Sequence, residues 1–373
     1  NGELTNKYLI VSNIDPEDST AILHGNNRVL QARLNDAEFF YNKDKKDEFS
    51  NKENKLSQIV YHNLLGNLSD RVKRITQLAI KIGSAINVDP IDCEVAAKLS
   101  KNDLVTLMVG EFPELQGIMG KYYAKNNGEK SIVCHAIEDQ YKPRYSGDNL
   151  PDSNLGCCLS LAEKVESIVG LMNVGVFPSG EKDPMGLRRN ALGIIRIITE
   201  KSFPLSITNL IKFAQDQFTN CDHRTLEIKK FISDRVFFFF KEKGFSPDLI
   251  ASCQEKNIDL IYELPNKLNS LKKFIEYPDS LIICSLNKRI KNILKKSNIE
   301  LYTKHSVNFK LFEDKVEEDL YNTLNKIKPT LFEYIEKKLF LKSLLLLLDL
   351  KSPIENFFDS VMINSERKDL KIN

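Results

Sequence analysis

From Ser19 onward the apolar residues of this chain return at spacings of three and four, the period that lays one apolar stripe along an α-helix. That pattern implies a mainly α, multi-helical fold. In HGNNRVLQARLNDAEFFYNKDKKDEF the stripe is Val29, Leu30, Leu34, Ala37 and Phe40, with Arg28 and Arg33 off it. In LSQIVYHNLLGNLSDRVKRITQLAIKIG a second helical region puts Val72, Ile75, Leu78, Ala79 and Ile82 on one face, with Gly83 as its stop. Asp89-Pro90 and Asp183-Pro184 each read as an N-cap followed by a first-turn proline. One run, NKYLIVSNID (Asn6–Asp15), reads as a short β-strand near the N-terminus, closed by a polar turn. A lone strand needs a partner, so part of its sheet is expected before Asn1. The start on Asn1 and the stop at Asn373, inside an unfinished helical pattern, suggest a piece cut at both ends.

A chain of 373 residues can bury a large core and divide into two or three domains. Apolar content of 42% and charged content of 28% are ordinary for a soluble globular protein. A formal charge of +2 creates no global field that demands a nucleic-acid partner, which leaves that task to local basic segments. The seven cysteines form no C-x-x-C pair, and adjacent Cys157 and Cys158 suit neither a zinc knuckle nor a redox motif. Scattered cysteines point to a reducing cytoplasm, where most serve as small buried apolar residues. The most apolar run, LFLKSLLLLLDL (Leu339–Leu350), is too short to span a bilayer and carries Lys342 and Asp349; it reads as a buried helix. No phosphate-binding loop, dinucleotide fingerprint, nucleophile elbow or H-E-x-x-H is present, and GIMGKYY lacks both the spacing and the hydroxyl of the first of these. The five histidines are far apart, none paired at i, i+4, and read as solvent-facing or hydrogen-bonded.

Two kinds of segment carry candidate chemistry. KNDLVTLMVGEFPELQGIMGKYYA holds Asp103, Glu111 and Glu114, carboxylates that could grip magnesium through waters. The plainer reading ends one helix at Glu111 and places Glu114 in the first turn of the next, beyond Pro113, where negative charge suits the helix dipole. GLRRNALGIIRI sets Arg188 and Arg189 in first turns, where a cation is disfavoured by about 0.3–1 kcal/mol. An anion should therefore compensate: Glu181 and Asp183, another domain, or phosphates. Arg196 follows Arg188 on the same side. NKRIKNILKKS surrounds an Ile290, Ile293, Leu294 stripe with Lys288, Arg289, Lys291, Lys295 and Lys296. This is an amphipathic helix whose basic face is either solvated or held against RNA phosphates.

In this order, LTNKYLIVSNI, GNNRVLQARLNDAEFFYNKD, KNDLVTLMVGEFPELQGIMGKYYA, AIEDQYKPRYSGDNLP, GEKDPMGLRRNALGIIRI, SLNKRIKNILKKS and PIENFFDSVMINSERKDLKIN resemble the β subunit of the bacterial heterotetrameric glycyl-tRNA synthetase, over nearly the whole chain. The resemblance places Asn1 well inside the family's chain and Asn373 inside its last domain. It implies the end of an N-terminal domain and a leading helix over residues 1–50, and an HD-like helical domain over 51–204. A helical body and linker follow over 205–265, then a DALR-like anticodon-binding domain over 266–373, truncated at its C-terminus. An active HD phosphohydrolase grips metal with a His-Asp doublet, a preceding His and a later Asp. Here the doublet's place holds Asn102-Asp103, and the later position reads Ala162-Glu163-Lys164. Asn cannot replace imidazole on a transition metal, so no metal is expected, and the stretch reads as a helical corner with EFPELQG as its packing turn.

The resemblance further implies that adenylate formation and acyl transfer belong to an α subunit. ATP and magnesium are then used by the complex, with no catalytic residue and no cofactor in this subunit. The subunit grips tRNA(Gly) in a cytoplasmic heterotetramer of two α and two β subunits, away from membranes. Candidate phosphate contacts are Arg144, Arg188, Arg189, Arg196, Lys288 and Arg289. Phe358 and Lys371 are added for the anticodon-binding domain, Lys371 standing where the family often has Arg. Two alternatives remain: an HD-type metal-dependent phosphohydrolase working through Asp103, and a helical scaffold that docks the α subunit without touching RNA.

Overall fold

The computed structural model describes residues 5–14, 17–180, 182–218, 222–254, 259–296 and 307–362. Most of the described residues are helical, and the sheet among them is a two-stranded hairpin. They form two compact units, one of Asn1–Gly193 with Lys212–His223, the other of Ile194–Ile211 with Arg224–Asn373.

The first unit opens with α1 (Thr20–Asp44) and the short α2 (Glu53–Leu56), followed by an antiparallel hairpin of β1 (Val60–His62) and β2 (Gly66–Asn67). Then come α3 (Leu68–Ala85), α4 (Pro90–Leu99), α5 (Leu107–Glu111), α6 (Ile118–Asn126), α7 (Ser131–Asp139) and α8 (Asn154–Asn173). Nearly every residue of α8 is buried, because apolar residues line most of its faces and it lies against α3, α4 and α7. The α3 stripe of Val72, Ile75, Leu78, Ala79 and Ile82 faces this core, as its spacing requires. Asp89 caps α4 by accepting from the Ile91 N–H at 2.8 Å, ahead of Pro90. The foot of α1 is fixed by buried Asp44, which accepts from the Leu107 and Met108 N–H groups and from the Tyr123 hydroxyl. Cys93, Cys134, Cys157 and Cys158 are buried, Cys253 is half-buried and Cys284 exposed.

The chain continues with α9 (Leu187–Glu200) and α10 (Ile207–Gln215), both divided between the units. The second unit goes on with α11 (Thr225–Glu242), α12 (Pro247–Gln254), α13 (Leu264–Phe274), α14 (Ser280–Lys296), α15 (Lys315–Glu336), α16 (Phe340–Leu346) and α17 (Lys351–Ser360). Ile228, Ile232, Val236 and Phe240 of α11 are buried. A smaller cluster of Ile327, Leu350 and Ile354 gathers Ile283, Leu286, Ile290 and Phe358 around it.

Three expectations need correction. Thr5–Ile14 forms no strand: Leu9 and Val11 are each 89% exposed, and no described segment pairs with it. Backbone that finds no partner across a ladder gains nothing from strand geometry. The hairpin lies instead in the stretch read as helical, where Gly66 (φ 84°) turns the chain and Asn67 delays the helix to Leu68. Gly83 does not stop α3, which runs on to Ala85; a Cβ there would stand 2.4 Å from the Cys93 sulfur, so the glycine permits close helix packing. Leu339–Leu350 splits into α16 and a 3₁₀ turn whose leucines are mostly half-buried, because the cluster they join is small.

Candidate nucleic-acid interface

Asp103 stands at the N-terminus of α6. Its Oδ2 accepts from the Gly117 N–H at 2.6 Å and the Gly120 N–H at 3.2 Å, so the carboxylate meets the positive end of the helix. Gly117 adopts φ 82°, which closes the turn after EFPELQ, and a Cβ at Gly120 would press within 2.7 Å of Ile137. Burial raises the Asp103 carboxyl above its usual range, with the Gly117 N–H pulling it back. Asn102 donates its amide to the Phe49 carbonyl at 2.8 Å. Glu111 ends α5 and pairs with Arg33, while Glu114 lies in the turn that follows Phe112. The three carboxylates thus stand in three separate surroundings and do not form a cluster.

Glu163 sits in a buried ion network. Arg71 donates to Glu163 at 2.9 Å and to Glu166 at 2.8 Å; Arg74 donates to Glu166 at 2.9 Å; Lys101 lies 3.0 Å from Glu163. Burial alone would raise the Glu163 carboxyl, but Arg71 and Lys101 overcome it and hold the group down at about 2. Neighbouring Lys164 donates to the Gln140 and Lys142 carbonyls and to the Ser160 hydroxyl. These residues do not fit a metal: Glu163 is already neutralised by protein cations, and Asn102 is committed to Phe49. Among the described residues no group of three or more His, Cys, Asp or Glu could hold a metal ion. The sequence names Lys164 only beside Glu163 in the departed HD position and gives it no role, and Arg71, Arg74, Lys101 and Glu166 are not singled out; the available signal is Glu163, Lys164 and Glu166 as three charges in a largely apolar helix.

The Tyr141 hydroxyl joins this network to the surface. It accepts from Lys101 at 3.1 Å and from Gln116 at 2.6 Å. Tyr141 and Gln116 also line a cleft of about 480 Å³ whose rim carries Arg144, Arg189 and Asn190, with Glu114 as its one acid. Arg144 and Arg189 are exposed, and neither guanidinium makes an ion pair among the described residues. Gly186 (φ 65°) leaves room for the Arg189 side chain, since a Cβ would lie 3.0 Å from its Nη2. The compensating anion expected at the start of α9 is Asp183, which accepts from the Leu187 N–H at 2.9 Å and the Arg188 N–H at 2.8 Å. Pro184 lies in the preceding turn rather than the first helical turn. Arg188 turns aside to the Gly180 carbonyl. Two adjacent arginines therefore have different surroundings, one tied to its own loop and one free in a cleft.

In the second unit Arg196 is paired with Glu200 at 3.2 Å and is largely covered. Lys288, Lys291 and Lys295 recur three and four residues apart and form one exposed ridge on α14. Arg289 is exposed at the border of that ridge, its guanidinium carbon 3.9 Å from the centroid of the Phe358 ring. The structure so brings Arg144 together with Arg189, and Arg289 together with Phe358. Lys371, Glu181 and the side chain of Lys296 lie outside the described residues. Among the described residues no helix is long and apolar enough to cross a membrane.

The family described as glycyl-tRNA synthetase beta subunit matches residues 1–255, and the DALR anticodon binding domain matches residues 286–373. Similar proteins include the glycine–tRNA ligase beta subunit of Polaromonas naphthalenivorans (strain CJ2), 39% identical over 375 residues, spanning 100% of this chain and 52% of that protein. That of Methylobacillus flagellatus is 39% identical over 377 residues, spanning 100% and 53%. That of Neisseria gonorrhoeae is 38% identical over 376 residues, spanning 100% and 54%. The chain spans about half the length of the curated relatives it matches. With its first 255 residues matched to that family and relatives alike along its whole length, the chain belongs to the glycyl-tRNA synthetase beta subunit family.

Proposed function

We propose that this chain is the tRNA-gripping part of a glycyl-tRNA synthetase β subunit. It orients tRNA(Gly) for ATP- and magnesium-dependent glycylation at the active site of an α subunit, in a cytoplasmic heterotetramer of two α and two β subunits. Residues 51–204 act as an HD-like helical body and 266–373 as the anticodon-binding domain. The observation that carries this reading is the pair of guanidinium groups, Arg144 and Arg189, without an ion pair among the described residues, on one cleft of a chain matched throughout by such β subunits. Exposed arginines without acidic partners suit the ribose-phosphate backbone, whose contacts fix register, while base contacts supply the sequence information. Lys288, Lys291 and Lys295 add a second rail, and Phe358 an aromatic surface beside it. Arg188 and Arg196 contribute to RNA contact only if they exchange the partners they now hold. Glu163 and Asp103, committed to arginine, lysine and backbone N–H groups, support a structural part for the old HD position rather than hydrolysis.

Crosslinking of a tRNA(Gly) transcript to the protein, with the adducts mapped by mass spectrometry, tests the reading. Adducts are expected at the Arg144–Arg189 cleft and on the exposed ridge of α14. Adducts confined to lysines elsewhere would contradict it.

A further inference from the structure

Arg289 differs from Lys288, Lys291 and Lys295 in having an aromatic ring beneath it. Its guanidinium carbon stands over the Phe358 ring, 3.9 Å from the centroid, which is van der Waals contact with the ring face. Phe358 is half-buried and packs against the cluster of Ile327, Leu350 and Ile354, so the core holds the ring in place. Among the described residues no carboxylate pairs with Arg289, so its orientation is set by the ring and not by an ion pair. Arg289 is exposed, so the side of its guanidinium away from the ring is open to a ligand.

We propose that Arg289 and Phe358 form a stacking platform for one unstacked base of single-stranded RNA, the base lying on the outer face of the guanidinium. The inference rests on the tRNA-binding reading above and specifies what this part of the surface holds. Its chemistry has two parts. Stacking on a guanidinium plane suits any base, because every base presents a π face. The neighbouring Lys288, Lys291 and Lys295 ridge offers cations to the phosphates that flank that base. A lysine at position 289 would keep the charge and lose the plane, which makes the platform separable from electrostatics.

The experiment uses the whole chain and tRNA(Gly) transcripts carrying 2-aminopurine at single positions of the anticodon loop, read by fluorescence and by affinity. Binding of the wild type is expected to quench one loop position. Arg289→Lys should lose that quench and about tenfold in affinity, as Arg289→Ala does, while Lys291→Gln weakens binding and leaves the quench in place. Phe358→Leu, which keeps an apolar group over the core, should also lose it. No quench at any loop position, or a quench that persists in Arg289→Lys, would overturn the platform while leaving tRNA binding intact. A wild-type chain that fails to bind the transcript would instead overturn the tRNA reading, and the platform with it.

Discussion

Lys164 is only 3% exposed, and burial pushes its ammonium down to about 7, with Lys101 adding repulsion and Glu163 opposing it. The unfolded chain holds this proton up to 10.5, so between pH 7 and 10.5 it binds more protons than the folded chain, and stability rises with pH across that window. Urea unfolding of the wild type against Lys164→Met, followed from pH 7 to 10, should show the wild type gaining relative to the variant; parallel curves would contradict the assignment. Glu163 gives a second window. Its carboxyl is held at about 2 instead of 4.5, so its contribution is complete above pH 4.5 and is lost as pH falls toward 2. Removing the fully buried Glu166 leaves Arg71 and Arg74 without a shared carboxylate, and Glu166→Ala should cost about 3–5 kcal/mol by the same unfolding measurement. The sequence pointed to Glu163 as an altered position but not to its partners. Arg71 and Lys101 are remote in sequence from Glu163, and only packing reveals which cations meet it.

At the scale of elements, the caps are the most separable feature. Asn67 and Asp70 form a reciprocal capping box at the start of α3, each accepting from the other's backbone N–H. Asn67→Ala should destabilise the first unit by about 1 kcal/mol, lowering the midpoint of its calorimetric transition by about 2–4 °C. Apolar spacing marked the buried face of α3 and the half-buried stripe of α14, but on α1 it marked a stripe whose Val29 and Leu34 are exposed. Where pairing or close approach decided an element, the reading failed. Asn6–Asp15 has strand composition, yet no described segment pairs with it, and Gly83 reads as a terminator because nothing local announces the sulfur of Cys93 against it. The Asp183 cap was legible as a residue type, yet its helix begins at Leu187, three residues after the proline that seemed to open it.

At the scale of the whole molecule, a formal charge of +2 gives no general attraction for RNA, so the proposed binding would rest on a few placed cations. Sequence composition named those cations but could not rank them. Arg188 and Arg189 are neighbours, and only the fold separates the one tied to Gly180 from the one free beside Arg144. The direct measurement is the affinity for a tRNA(Gly) transcript at several salt concentrations, for the wild type and for the Arg144→Gln, Arg189→Gln double variant. The wild type should bind with log affinity falling by roughly 0.7–0.9 per phosphate engaged for each log unit of salt. The double variant should bind more weakly, with that slope reduced by about one to two. Tight binding that ignores salt, or a double variant with the wild-type slope, would contradict the account.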